Sequence, residues 1–167
     1  MKLSVIYFSA SGNTAHMAEK IVEGMNQVAG VEAKAFAIDA VDADFVKESK
    51  GLVVGCPTYA ADMPADMHVW VEKEMGKLGL PGKLGGAFAT AQYIHGCAET
   101  VIHTIIDHMM VMGMLVYSGG GSKGAPVIHI GPTAIATAGN TEALKAFEDT
   151  FVIYGKRFAE KAAELFA

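Results

Sequence analysis

Ser9-Ala10-Ser11-Gly12-Asn13-Thr14 gathers three hydroxyls and a carboxamide directly after the apolar run 3–8 and directly before a helical pattern beginning at Ala15. A strand that ends in a tight turn and feeds a helix aims several unpaired backbone N–H groups at one point, where the partial positive charge of the helix N-terminus also falls. Such a point suits an anion. Ser9, Ser11, Asn13 and Thr14 offer neutral donors, and Gly12 lets the backbone turn and approach closely. Capping a helix takes one residue of the Ser, Thr, Asn or Gly type, and here five stand within six positions. No Lys or Arg lies between Lys2 and Lys20, which excludes the Gly-x4-Gly-Lys-Ser/Thr loop of nucleoside triphosphatases. Gly-x-Gly-x-x-Gly is also missing, which argues against a dinucleotide pyrophosphate on this turn. A monophosphate held without cations remains.

The other chemistry-bearing side chains are sparse. Cys56 and Cys97 are too few for a disulfide framework, lack metal-ligand spacing, and read as small apolar fillers in a reducing cytoplasm. His103 and His108 stand five apart and do not share a helix face, so no metal pair is expected. His95 and His129 fall on loops, where a histidine is by default solvated.

The elements that position these residues follow from periodicity. Residues 2–8 form a nearly continuous apolar run, as a strand buried on both faces should. Ala18, Ile21, Val22, Met25, Val28 and Ala29 mark one buried helix face, stopped at Gly30, and residues 31–37 alternate as a second strand. A short helix over 39–49, a third strand over 51–56 and a helix from about Asp62 with Pro64 in its first turn come next. That helix carries the stripe Met63, Met67, Val71, Met75 and Leu78, with Trp70 beside it as a core residue, and closes at Gly79 and Pro81. A fourth strand over 84–90 leads through a polar loop, 91–96, to a helix with Val101, Ile102, Ile105, Ile106 and Met109 inward, then to a fifth strand over 114–117. Gly85 and Gly86 mark close packing or a bend in the fourth strand. Residues 118–140 show little regular pattern, a length that in a compact domain points to a functional or covering loop. Asn140 or Thr141 caps a last helix whose stripe is Leu144, Phe147, Phe151, Tyr154, Phe158 and Leu165.

Alternating strands and helices give a parallel sheet covered on both faces. Its economical topology is a doubly wound five-stranded α/β fold of order 2-1-3-4-5, with ligands outside the carboxyl ends of the strands at the switch between strands one and three. A (β/α)8 barrel would need about 250 residues. The 167 residues, 51% of them apolar, suit one well-buried domain spanning 1–167. A net charge of -5 without a Lys/Arg cluster argues against nucleic-acid or anionic-membrane partners. The apolar stretch 101–117 is broken by His103, Asp107 and His108, so no membrane span is expected, and no secretory leader is evident at the N-terminus.

The run Ser9, Ser11, Gly12, Thr14 resembles the phosphate-binding loop of the flavodoxin family, Thr/Ser-x-Thr/Ser-Gly-x-Thr, which grips the phosphate of FMN. Gly55-Cys56-Pro57-Thr58-Tyr59, residues 86–100 and Gly113-Met114 before an apolar strand are similar to the NAD(P)H:quinone oxidoreductase branch represented by the tryptophan-repressor-binding protein (multimeric flavodoxin) family. The resemblance covers nearly the whole chain, more sharply in its first hundred residues. It implies that the whole loop from Ser9 to Thr14, Ala10 included, holds FMN, with the loops after strands three and four against its ring. Pro57, Thr58, Tyr59 and Ala60 line the ring from one side, and Thr90, Ala91, Gln92, Tyr93 and Gly96 from the other. Tyr59 and Tyr93 offer flat surface, while Thr58, Gln92 and the backbone offer hydrogen bonds. The branch has a Gly-rich fourth-strand loop where this chain has Gln92-Tyr93-Ile94-His95, and often a His where it has Met112.

Three functions remain open from the resemblance: a cytoplasmic enzyme passing two electrons from NAD(P)H through FMN to a quinone or other small acceptor; a carrier passing single electrons through a flavin semiquinone; and a flavin-sensing interaction module. No protein acid or base is required for the hydride step. Carriers of this family typically place Gly beside the flavin N5, and residues 57–63 contain none. Putting Ala60, Ala61 or Asp62 at positive φ would be strained by about 1 to 2 kcal/mol, which favours the enzyme. Relatives in the branch imply a dimer or tetramer.

Overall fold

The computed structural model describes residues 1–166. Strand β1 (Lys2–Tyr7) lies between β2 (Glu32–Ala37) and β3 (Gly51–Pro57), and β4 (Leu84–Ala91) pairs with β3 along nearly its whole length. Two further strands, β5 (Leu115–Val116) and β6 (Thr133–Ile135), share the other edge of β4. All pairings are parallel and the path is β2-β1-β3-β4-β5. The expected doubly wound order therefore holds, but with six strands instead of five. β5 pairs with Leu84 and Gly85 at one end of β4 and β6 with residues 89–91 at the other, so the outer strand is split by the excursion 117–132. Three residues between Pro132 and Ala136 are too few to show a period of two, which is why β6 is hidden in the sequence. The same split shortens β5 from the expected 114–117.

Five helices cover the sheet: α1 (Asn13–Met25), α2 (Ala43–Glu48), α3 (Ala65–Lys73), α4 (Ala98–Val111) and α5 (Thr141–Phe166). Successive strand residues point to opposite faces, and this alternation makes two cores. Val5, Val53, Leu84 and Phe88 face α1 and α5, while Ile6, Val54, Ala87 and Ala89 face the side of α3 and α4. The stripe from Met63 to Leu78 is buried as expected, although α3 begins only at Ala65 and gives way to a 3-10 turn at Met75–Leu78. Trp70 is core at 7% exposure. Helices α1 and α5 meet through reciprocal glycines: a Cβ on Gly24 would lie 1.9 Å from the Val152 carbonyl oxygen, and one on Gly155 2.0 Å from that of Ile21. Asn140 caps α5, its Oδ1 accepting from the Ala143 N–H at 3.2 Å. The expected inward stripe of α5 fails at Leu165, which is 47% exposed. The last turn is not free of the sheet: Ala162 is buried and Phe166, the residue after Leu165, packs against the core in its place.

The excursion after β5 is tied down by a buried cation. Arg157, 8% exposed, donates to the backbone carbonyls of Pro126 at 3.0 Å, Ala125 at 3.2 Å, Gly124 at 3.3 Å and Gly119 at 3.4 Å. Among the described residues no helix is long and apolar enough to cross a membrane.

Candidate functional site

The chain leaves β1 at Tyr7, turns through Gly12 at φ 92 and starts α1 at Asn13. Left-handed backbone there favours glycine. No side chain caps α1, and its first ladder bond runs from the His16 N–H to the Gly12 carbonyl oxygen at 2.9 Å. The N–H groups of Asn13, Thr14 and Ala15 thus stand outside the helix ladder. The capping role that Ser, Thr and Asn usually fill is taken by none of them here.

Beside that helix end lies a crevice compartment of about 120 Å³. Ala10, Ser11, Asn13 and Thr14 form one wall, Pro57, Thr58 and Tyr59 a second, and Thr90, Ala91 and Gln92 a third. A larger compartment of about 420 Å³ continues past Thr58 and Gln92 to Tyr59, Ala60, Ala61, Tyr93, His95 and Gly96. The fold thus brings together nearly all the expected site residues. Ser9 and Gly12 are the exceptions: Gly12 makes the turn and lines neither compartment, and Ser9 borders a neighbouring cavity with Tyr7, Ala37, Asp39 and Asp66. Among the described residues, no Lys, Arg, Asp or Glu lines either crevice compartment.

Hydrogen bonds alter two of the expected roles. Asn13 Nδ2 donates to the Thr137 carbonyl oxygen at 2.9 Å, so one of its two amide protons is committed to the loop after β6 rather than to an anion. Its Oδ1 is buried without a partner. Thr90, expected against a ring, is 3% exposed and its Oγ1 lies 2.8 Å from Thr14 Oγ1. Thr58 donates its backbone N–H to the Thr90 carbonyl oxygen at 2.8 Å and leaves its own Oγ1 buried and unpartnered. Ala136 and Ala138 complete the smaller compartment. Their sequence signal was only the unusual length of the loop that carries them.

The loop after β3 closes as a two-residue turn. Tyr59 and Asp62 exchange both backbone hydrogen bonds, at 2.9 and 3.0 Å, across Ala60 at φ 50 and Ala61 at φ 66. Positive φ at both central positions is the type I′ arrangement, which usually takes Asn or Gly. The sequence argument that this loop avoids left-handed backbone is therefore overturned: the fold already holds two alanines there. Tyr59, Tyr93 and Ile94 are 47, 67 and 79% exposed, giving the mouth an apolar rim. Gln92 Nε2 donates to the Tyr93 hydroxyl at 2.9 Å.

The cysteines differ from one another. Cys56 is buried at the end of β3, and burial, with a lesser contribution from Asp62, pushes its thiol well above the ordinary range. Cys97 is exposed, with φ 65 at the start of α4, and is no core filler. No group of three or more potential metal ligands occurs among the described residues.

A parallel sheet of this order, with its crevice at the carboxyl ends of the neighbouring strands β1 and β3 where the strand order switches, defines the flavodoxin-like class of α/β proteins. Residues 5–93 match the flavodoxin family. A flavodoxin of Clostridium saccharobutylicum is 39% identical, the alignment covering 99% of this chain and all of the relative. The chain belongs to the flavodoxin family. An NAD(P)H dehydrogenase (quinone) of Chromohalobacter salexigens is 27% identical over 98% of each chain. A solved flavodoxin from the domain Archaea superposes with a TM-score of 0.73 at 28% identity, covering 98% of this chain and 99% of the other. The resemblance stated from the sequence is borne out, with quinone dehydrogenases among the relatives.

Proposed function

We propose that this chain binds FMN in the crevice and works as an electron-transfer flavoprotein of the flavodoxin type. The observation that carries the proposal is the pair of buried, unpartnered polar atoms, Asn13 Oδ1 and Thr58 Oγ1, on residues that line a crevice beginning at an uncapped helix N-terminus. Buried polar atoms are rarely left unsatisfied, and this set matches FMN in kind. The N–H groups of residues 13–15 and the hydroxyls of Ser11 and Thr14 suit a phosphate. Asn13 Oδ1 can only accept, which suits a polyol hydroxyl rather than a phosphate oxygen. Thr58, Tyr59, Ala91, Gln92 and Tyr93 offer the flat and hydrogen-bonding surface a flavin ring needs. FMN, when bound, supplies reversible electron transfer at its ring. The protein's part is to bind, orient and partly shield it.

Two observations support a carrier over an enzyme. The relative at 39% identity, matched along its whole length, is a flavodoxin. The strain that counted against a carrier is already accepted at Ala60 and Ala61. A second reading, NAD(P)H-dependent reduction of a quinone by a homo-oligomer, draws on the 27% identical relative and on the compartment beside Tyr59 and Tyr93, which no Lys, Arg, Asp or Glu lines among the described residues.

Titration of the purified chain with FMN, followed by quenching of flavin fluorescence, tests the first statement. One FMN per chain is expected, with riboflavin bound far more weakly; no FMN uptake at micromolar concentration refutes it. The loaded protein with NADH or NADPH and benzoquinone under nitrogen separates the readings. Oxidation no faster than with free FMN is expected of a carrier, and saturable turnover would establish the enzyme.

A further inference from the structure

We infer that Thr90 is a positioning residue for the anion grip: its hydroxyl holds Thr14 in the orientation that donates into the crevice. The inference rests on the phosphate reading above and assigns a residue 76 positions away in sequence from the loop it serves.

Thr14 and Thr90 are 1 and 3% exposed, and their hydroxyl oxygens are 2.8 Å apart. Each hydroxyl has one proton and two lone pairs, and only one proton can lie between the two oxygens. If Thr14 donates to Thr90, Thr14 turns lone pairs toward the crevice and repels an anion. If Thr90 donates, Thr14 keeps its proton free for the anion, and the two bonds in series strengthen each other. A phosphate at the start of α1 selects the second arrangement.

The base of this relay is rigid. Thr90 sits inside the sheet, in register with Pro57 of β3 on one side and Ala134 of β6 on the other. Its carbonyl oxygen is also fixed, by the Thr58 N–H at 2.8 Å. Thr14, on the first turn of an uncapped helix, receives from β4 an orientation that its own loop does not supply. The neighbouring residue is anchored likewise, through the bond from Asn13 Nδ2 to Thr137. The hydroxyl of Thr90 thus acts on the phosphate through Thr14, and it is the phosphate, not the ring, that its removal affects.

Riboflavin, which has the ring and polyol but no phosphate, makes the test specific. Dissociation constants for FMN and riboflavin are measured by fluorescence quenching for the wild type, Thr90→Val, Thr90→Ser and Thr14→Val. Thr90→Val is expected to weaken FMN by up to about tenfold, in line with loss of the one neutral hydrogen bond that holds the Thr14 hydroxyl, and to leave riboflavin within about twofold. Thr90→Ser restores FMN binding. Equal weakening of FMN and riboflavin overturns the inference in favour of a ring contact or a general packing role. Unchanged FMN binding in Thr90→Val, with weakened binding in Thr14→Val, overturns the relay and leaves the phosphate site standing. Unchanged binding in both removes the phosphate site itself. Should Thr90→Val fail to fold, Thr90→Ala carries the same comparison.

Discussion

Replacing Ala60 and Ala61 together by glycine is expected to stabilise the protein, against the usual direction of such a change. Both residues are left-handed, at φ 50 and φ 66, and a side chain in that region costs about 1 to 2 kcal/mol per residue. Glycine removes that penalty but adds backbone freedom to the unfolded chain, worth about 0.5 to 1 kcal/mol per residue. The net gain is about 0.5 to 1 kcal/mol at each position and about 1 to 2 kcal/mol for the pair. Both alanines are exposed and neither packs in the core, so lost burial does not offset it. Urea unfolding of the flavin-free protein, followed by circular dichroism, gives the difference from the midpoint and slope. Ala146→Gly, exposed within α5, is the control and should lose about 1 kcal/mol. If the turn variant were destabilised as much as the control, the left-handed pair would not be strained and its place in the functional argument would fall.

Gly86→Ala is expected to cost at least about 2 kcal/mol, because its Cβ would lie 2.3 Å from the Tyr154 hydroxyl and 2.9 Å from the Phe158 ring; adding Tyr154→Phe should recover part of the loss in a thermal melt. Arg157→Met removes the guanidinium donors that hold the carbonyls of residues 119 and 124–126; limited proteolysis is expected to cut within residues 119–126 at least tenfold faster, with Arg157→Lys intermediate. In the native protein one thiol, Cys97, should react with a disulfide reagent at pH 8, and Cys56, buried with its thiol pushed up, only after unfolding. Two equally fast thiols would contradict the packing of β3.

Features confined to neighbouring residues were legible in the sequence. The run from Ser9 to Thr14 reads as the proposed anion site because its donors are contiguous, and the order of the sheet follows from apolar runs separated by helical stripes. What escaped depends on partners far away in the chain. The bond between Thr14 and Thr90 joins two ordinary threonines, and the bond from Asn13 to Thr137 redirects an amide that the local pattern aimed at phosphate. Ala60 and Ala61 read as residues that avoid positive φ, but the paired hydrogen bonds of Tyr59 and Asp62 override that preference. Strand β6 exists because the end of β4 offers an unpaired edge, not because Thr133-Ala134-Ile135 carries a strand pattern.

A crystal structure of the protein grown with FMN tests the central claim most directly. The phosphate is expected within hydrogen-bonding distance of the N–H groups of Asn13, Thr14 and Ala15 and of the Thr14 hydroxyl, with no lysine or arginine against it. A phosphate seated elsewhere, or neutralised by a cationic side chain, would contradict the claim.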